Sequence, residues 1–223
     1  RSALWKNVVG IQLIDTRTSV LENLTFSLSV LAGIQMQNTV VDTLQNNLFI
    51  PMENAFAYDV GATTTLLSNA QMDYNLYDFS SPGSGFHAGA TNELRMWQLG
   101  MNLDFRSALT NHGLDEVDYP GDLHPLSAYG RWVSSPTGGV WTTDAETSWA
   151  VDHGSVESEF GEEPGDNGDR INIGMYGNTV QASQGSTNLY LDIRTLNGEV
   201  SQINIGDLWP LVWSAHLVDD DVE

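Results

Sequence analysis

The chain contains no cysteine. That removes disulfides, thiolate metal ligands and a cysteine nucleophile from consideration. Cations are scarce: eight Lys and Arg stand against 29 Asp and Glu, a net charge of −21, and lysine occurs once, at Lys6. Nucleic acids and anionic membranes both require a cationic surface, so neither is an expected partner. No apolar run approaches the roughly 20 residues of a membrane-spanning helix, and nothing at Arg1 reads as a signal peptide, so membrane insertion is not expected. Charged residues are only 17% of the 223 and hydrophobic ones 41%, which excludes a disordered acidic tail or a coiled coil. Phosphate-loop, dinucleotide and Gly-x-Ser-x-Gly signatures are all missing.

What is present leans one way. There are 21 glycines, asparagine, threonine and serine are plentiful, and helix formers are sparse. This composition predicts an all-β chain with many turns. A strongly acidic, lysine-poor surface suits an extracellular protein, secreted or on the cell surface, or a surface that gathers calcium. A charge that merely solubilises is the plainer reading.

The first third repeats. Gly10-Ile11-Gln12-Leu13, Gly33-Ile34-Gln35-Met36 and Ala55-Phe56-Ala57-Tyr58 share the alternation of a half-buried strand. A second strand signal recurs between them: Val20 to Phe26, Thr43 to Phe49 and Met72 to Tyr77, each with an asparagine just before a leucine. A period of about two dozen residues carrying two or three short strands predicts a parallel β-helix, whose turns stack matched apolar side chains in a column. Asn23, Asn47 and Asn75 are then expected as a structural ladder, each amide bonded to its neighbour above and below. Asparagine also tolerates the left-handed backbone of a bend.

The later motifs carry a resemblance. His124, Ser127, Gly130 and Arg131 follow an HxxSxxGR pattern; residues 142–154 (TTDAETSWAVDHG) follow TDxxTSxxIDxG; residues 163–179 (EPGDNGDRINIGMYGNT) follow EPxPNGGRINIGAYGNT. Together with the Asn-Leu repeats, over residues 10 to 183, the chain resembles right-handed parallel β-helix proteins of the pectin-lyase-like superfamily, of the large secreted and surface type found in bacteria. Trp149-Ala150 departs from the small residues usual there, and Asp169 replaces a usual glycine.

The resemblance implies the last coils of a β-helix over residues 1–78. A loop-rich excursion and C-terminal cap wrapping the solenoid end follow over 79–183, with a short helix at Glu93 to Gly100. Residues 184–223 alternate like strands and resemble the start of an immunoglobulin-like module, too short for its usual seven strands or so. Both termini read as open. The chain is either a fragment of a larger protein or a subunit completed by neighbours, forming a homo-oligomer or polymer through the solenoid end and the C-terminal strands.

Candidate chemistry is sparse. Between Trp141 and Asp169 lie nine acids and no Lys or Arg. Glu162, Glu163, Asp166 and Asp169, in a Pro/Gly loop, are candidate calcium ligands, because hard cations take oxygen donors from flexible loops. The EF-hand pattern fails: with Gly168 at its sixth position, Gly165 and Gly174 occupy positions that need acids. A solvated acidic surface is the plainer reading. Trp132, Trp141 and Trp149 are candidate glycan contacts, since sugars stack on aromatic faces, although packing of the cap explains them as well. No catalytic residue can be named. The β-helix polysaccharide lyases that the chain resembles pair acids on a coil face with a basic residue, and here the coils offer only Lys6 and Arg17. Asp15, Asp42 and Asp59 lie near the ends of repeat strands, with Asp42 out of phase with the others. His87, His112, His124, His153 and His216 make no metal pair.

Two functions follow. One is a non-catalytic extracellular β-helix module with a structural, adhesive or self-assembly role that contacts polysaccharide. The other is the C-terminal part of a polysaccharide lyase or glycoside hydrolase.

Overall fold

Strands of four to six residues that alternate apolar and polar side chains cannot bury their apolar face alone; they need a matched neighbour. In the computed structural model that neighbour is the next repeat. The structure describes residues 1–60, 71–86, 93–101, 103–111, 113–114, 122–135, 138–165, 167–186, 190–193 and 213–216. Among them the chain is all-β apart from one short helix. The first repeat contributes β1 (Ser2–Trp5), β2 (Val9–Ile14) and β3 (Arg17–Glu22). The second contributes β4 (Leu24–Ser29), β5 (Ala32–Gln37) and β6 (Val40–Gln45), and the third β7 (Leu48–Pro51), β8 (Phe56–Val60) and β9 (Gln71–Asp73). β10 (Leu76–Tyr77), helix α1 (Leu94–Met101) and β11 (Ala108–Leu109) follow.

Strands β1 to β7 each pair in parallel with the strand three places on, and β10 pairs in parallel with β11, giving sheets β1-β4-β7-β10-β11, β2-β5-β8 and β3-β6-β9. Ladder partners lie 23 residues apart at Gln12 and Gln35 and 24 apart at Gln35 and Asp59. Gly33 therefore pairs at the level of Ala57, not Ala55, because β8 stands in register Ile34 with Tyr58. The two-residue difference from the alignment by sequence preserves which face points inward.

The inward columns are continuous. Leu4, Phe26, Phe49, Tyr77 and Leu109 align along the five-stranded sheet. Ile11, Ile34 and Tyr58 align along the second, and Leu21, Leu44 and Met72 along the third. All join one apolar cluster. Phe26 stacks on Phe49 at 4.8 Å and Phe49 on Tyr77 at 5.4 Å. Each such pair is worth about 0.5–1.5 kcal/mol beyond its burial. The rings fix a small residue opposite: a Cβ on Gly33 would lie 2.9 Å from the Phe49 ring and from the Ala57 carbonyl.

The asparagine ladder runs through Asn47 and Asn75. Asn47 Oδ1 accepts from the Leu24 amide at 3.0 Å, and Asn75 Oδ1 accepts both the Asn47 amide at 3.0 Å and its Nδ2 at 3.1 Å. Asn23 stands one register position earlier, level with Asn46 and Tyr74; all three have φ between 52° and 57°. Asn23 supplies the left-handed bend rather than a rung, and its Oδ1 is buried without a partner. Adjacent asparagines in the second repeat disguise the offset in the sequence.

The segments expected to wrap the end divide the task differently. Gly85 and Phe86 continue the second sheet beyond β8, donating no new strand but accepting the Ala57 and Tyr58 amides at 2.8 and 2.9 Å. Trp97, on α1, stacks on Tyr58 at 5.8 Å and on Phe86 at 5.1 Å, so the excursion packs onto the last members of the columns. α1 runs through Gly100 instead of stopping there. The acidic segment lies along the outer face of the five-stranded sheet: Leu114, Ala150 and Ile173 pack on Leu48, Ile50 and Leu76. That face is apolar because β7 and β10 present Leu48, Ile50 and Leu76 outward as well as Phe49 and Tyr77 inward, while β4 presents Thr25 and Ser27 there. Within this segment β12 (Arg131–Ser135) and β13 (Gly138–Thr142) form a hairpin. Among the described residues beyond it, β14 (Tyr190–Ile193) and β15 (Trp213–His216) pair antiparallel. No helix among the described residues is long and apolar enough to cross a membrane.

The two kinds of asparagine should respond differently. Asn47→Ala leaves buried amide and carbonyl groups unpaired and should cost about 2 kcal/mol or more in urea denaturation. Asn23→Gly keeps the bend and should stay within about 0.5 kcal/mol of the parent. Equal losses would contradict the assignment.

Candidate functional site

The polar motifs of the acidic segment are first of all a clamp. Arg131 is buried, and its Nε and Nη2 donate to Asp144 at 2.9 and 3.1 Å while Nη1 donates to Asp122 at 2.8 Å. Asp122 in turn accepts from His124 Nδ1, and the His124 ring stacks flat on Tyr176 at 3.4 Å. Ser127 accepts from the Tyr129 and Gly130 amides and donates to the Gln184 carbonyl. Burial pushes the Asp122 and Asp144 carboxyls up, but bonds from His124 and Arg131 outweigh it and hold both below the usual range. The residues read as a terminal motif thus tie loop to loop. His124 is fully buried, and its Nε2 has no partner.

Asn172 centres a second network. Its amide donates to Glu163 Oε1 at 2.9 Å, its Oδ1 accepts from the Asp152 amide at 2.8 Å, and its Nδ2 donates to the Ser183 carbonyl at 2.7 Å. Glu163 Oε1 also accepts the Asn178 amide at 2.7 Å. Burial, reinforced by the Asp152 charge, pushes the Glu163 carboxyl up to about 8 against these two amides. Burial likewise raises Asp152 to about 7, with Asp169 adding to it and the Gly168 amide and Arg170 opposing it. Glu163 Oε2 and Asp152 Oδ1 are buried without hydrogen-bond partners.

Of the four candidate calcium ligands, Glu163 is thereby committed inward, Glu162 and Asp169 are exposed, and Asp166 lies outside the described residues. No group of three or more acids and histidines converges among the described residues. The tryptophans also divide. Trp132 and Trp141 face each other across the hairpin, edge to face at 5.4 Å. Trp149 stacks on His153 at 4.2 Å and leans on the outer-face cluster. On the repeat strands and their bends, Asp59 bonds Gln35, Asp15 bonds Asn38 and Asp42 meets Arg17, each in a different row. His87 and His112 lie outside the described residues.

Among the described residues, an open cleft of about 610 Å³ lies in and beside the acidic segment. Trp149, Tyr129 and His153 supply aromatic surface, Glu146 and Asp152 carboxyls, and Asn111 and Thr147 polar groups. Asp152 sits at its floor beneath Gly185, where an added Cβ would come within 1.5 Å of Asp152 Oδ2. Of these, sequence reasoning singled out Trp149 alone as a ligand contact. Asp152 is visible in the sequence only as one acid in nine and as part of a motif, and Tyr129 only as part of a motif.

One buried acid gave no signal. Asp104 accepts from Tyr77 Oη at 2.6 Å, Trp97 Nε1 at 3.2 Å, Asn75 Nδ2 at 3.3 Å and Ser107 Oγ, at the end of the aromatic column. Burial raises its carboxyl to about 6 despite the Ser107 and Tyr77 bonds. An aspartate between Leu103 and Phe105 does not announce that role.

No protein-family model, curated protein or solved structure matches this chain.

Asp152 and Glu163 hold protons in the folded chain at pH values where the unfolded chain has released them. Their stabilising contribution is therefore complete below the ordinary carboxyl range and is lost as pH rises through about 7 and about 8. The thermal midpoint should fall between about pH 5.5 and about pH 8.5, and Asp152→Asn and Glu163→Gln should each flatten that fall by a few degrees. A slope unchanged in both variants would exclude these groups as its source.

Proposed function

We propose that the chain is part of a right-handed parallel β-helix serving as a non-catalytic extracellular module, with a structural, adhesive or self-assembly role and a glycan-contacting cleft. The parallel pairing of every third strand supports the coil, and crossovers between parallel strands are right-handed in nearly all sheets. The observation that carries the non-catalytic reading is how the chain uses its buried acids. Asp104 is enclosed by Tyr77, Trp97, Asn75 and Ser107, Asp122 and Asp144 are held by Arg131, and Glu163 Oε1 accepts two backbone amides. Such groups brace a scaffold. Trp149 and Tyr129 in an open cleft beside polar side chains support sugar contact.

One observation favours the alternative, a piece of a polysaccharide lyase or hydrolase. Asp152 is a buried carboxyl raised to about 7 at the floor of a cleft, the protonation range of a general acid. Glycoside hydrolysis requires a second carboxyl about 5–10 Å from the first, and Glu146 is the one that shares the cleft.

Incubation with polyuronates and with neutral glucans, read by ultraviolet absorbance of unsaturated ends and by reducing-end release, decides between them. The scaffold reading expects no product from either. Turnover that disappears in Asp152→Asn would overturn it.

A further inference from the structure

The charge of the cleft carries a statement about its ligand, and that statement rests on the glycan-contact reading. Two carboxyl residues, Glu146 and Asp152, line it, and no Lys or Arg does so among its described lining residues. The two nearby guanidiniums are engaged elsewhere: Arg131 clamps Asp122 and Asp144, and Arg170 donates to the carbonyls of His153 and Gly154. An anionic sugar is normally held by a bidentate arginine or a lysine. This cleft offers it the exposed Glu146 carboxylate, within a protein of net charge −21.

The floor adds no cation to offset it: Asp152 is only 2% exposed, and its carboxyl, raised to about 7, is neutral below that pH. Glycine at 185 keeps side-chain atoms off that carboxyl, since a Cβ there would collide with Oδ2 at 1.5 Å. Glu146, on the rim, is exposed. The Glu146 carboxylate at the rim calls for hydrogen-bond donors on the ligand. The aromatic faces of Trp149 and Tyr129 call for a flat, C–H-bearing ring surface. The polar wall of Asn111 and Thr147 adds donors and acceptors suited to hydroxyls.

We infer that the cleft takes a sugar unit rich in hydrogen-bond donors and free of negative charge, a neutral hexose or an amino sugar, and discriminates against uronates. Uronates are the sugars that the alternative, lyase-type reading would require, so ligand charge separates the two.

The test is isothermal titration calorimetry on the whole chain at about pH 6 and low salt, with three probes of equal length: a glucosamine oligomer, a cello-oligosaccharide and an oligogalacturonate. A glucosamine or cello-oligosaccharide Kd below about 1 mM, at least about tenfold tighter than oligogalacturonate, is the expected result. Trp149→Ala should weaken that binding about tenfold or more. Glu146→Gln, at an exposed position, should keep the parent thermal midpoint while narrowing the preference for glucosamine over galacturonate several-fold. Oligogalacturonate binding as tightly as the others would overturn the inference and leave glycan contact standing. Binding indifferent to Trp149→Ala would overturn the assignment to this cleft. Failure of all three probes would overturn the glycan-contact reading itself.

Discussion

Register between successive repeats is the constraint on which the rest of this molecule depends. Phe26, Phe49 and Tyr77 bury their rings against one another only while their strands stay level, and Asn47 and Asn75 reach their backbone partners only in that same alignment. A slip of one residue would turn each apolar column to the opposite face and break the amide ladder together with it. The apolar interior supplies the energy and the buried amides supply the specificity. Neither would hold the register alone, because apolar side chains tolerate sliding and a buried amide without its partner is a cost.

The repeat was legible because it is local and periodic. Alternation over Gly10 to Leu13 and Gly33 to Met36, and the Asn-Leu steps, are properties of short windows, and the parallel ladders follow from their spacing. What could not be read depends on side chains brought together from far apart in the chain. Asp104 gains its meaning from residues 75, 77, 97 and 107. The offset of Asn23 was hidden because Asn46 and Asn47 stand side by side, and either matches it by eye. The packing of the acidic segment against the sheet is illegible in sequence for a related reason. Leu48, Ile50 and Leu76 on the outer face of β7 and β10 look in sequence like ordinary strand residues, yet they require a second apolar layer.

The candidate site shows the same division. Trp149 was recognisable by residue type, and the acids by abundance, but abundance does not distinguish a solvated carboxylate from one that is deeply buried. The structure separates them by their partners. Glu163 faces backbone amides, Asp122 and Asp144 face a guanidinium, and Asp152 lies under a glycine at the base of a cleft. In a chain with so many acids, it is the partners each one meets, not its residue type, that set the state of its charge.

The lateral layer has a mechanical consequence. A bare stack of repeats touches only nearest neighbours, so it can fray from an end one rung at a time. Here a single stretch donates to Thr25 through Met175, to Asn46 through Ser155 and Gly174, and rests on Leu48 and Leu76 through its own apolar residues. It works as a splint across three consecutive rungs. Losing any one of them means peeling the splint from all, which converts a gradual, zipper-like melt into a single concerted rupture.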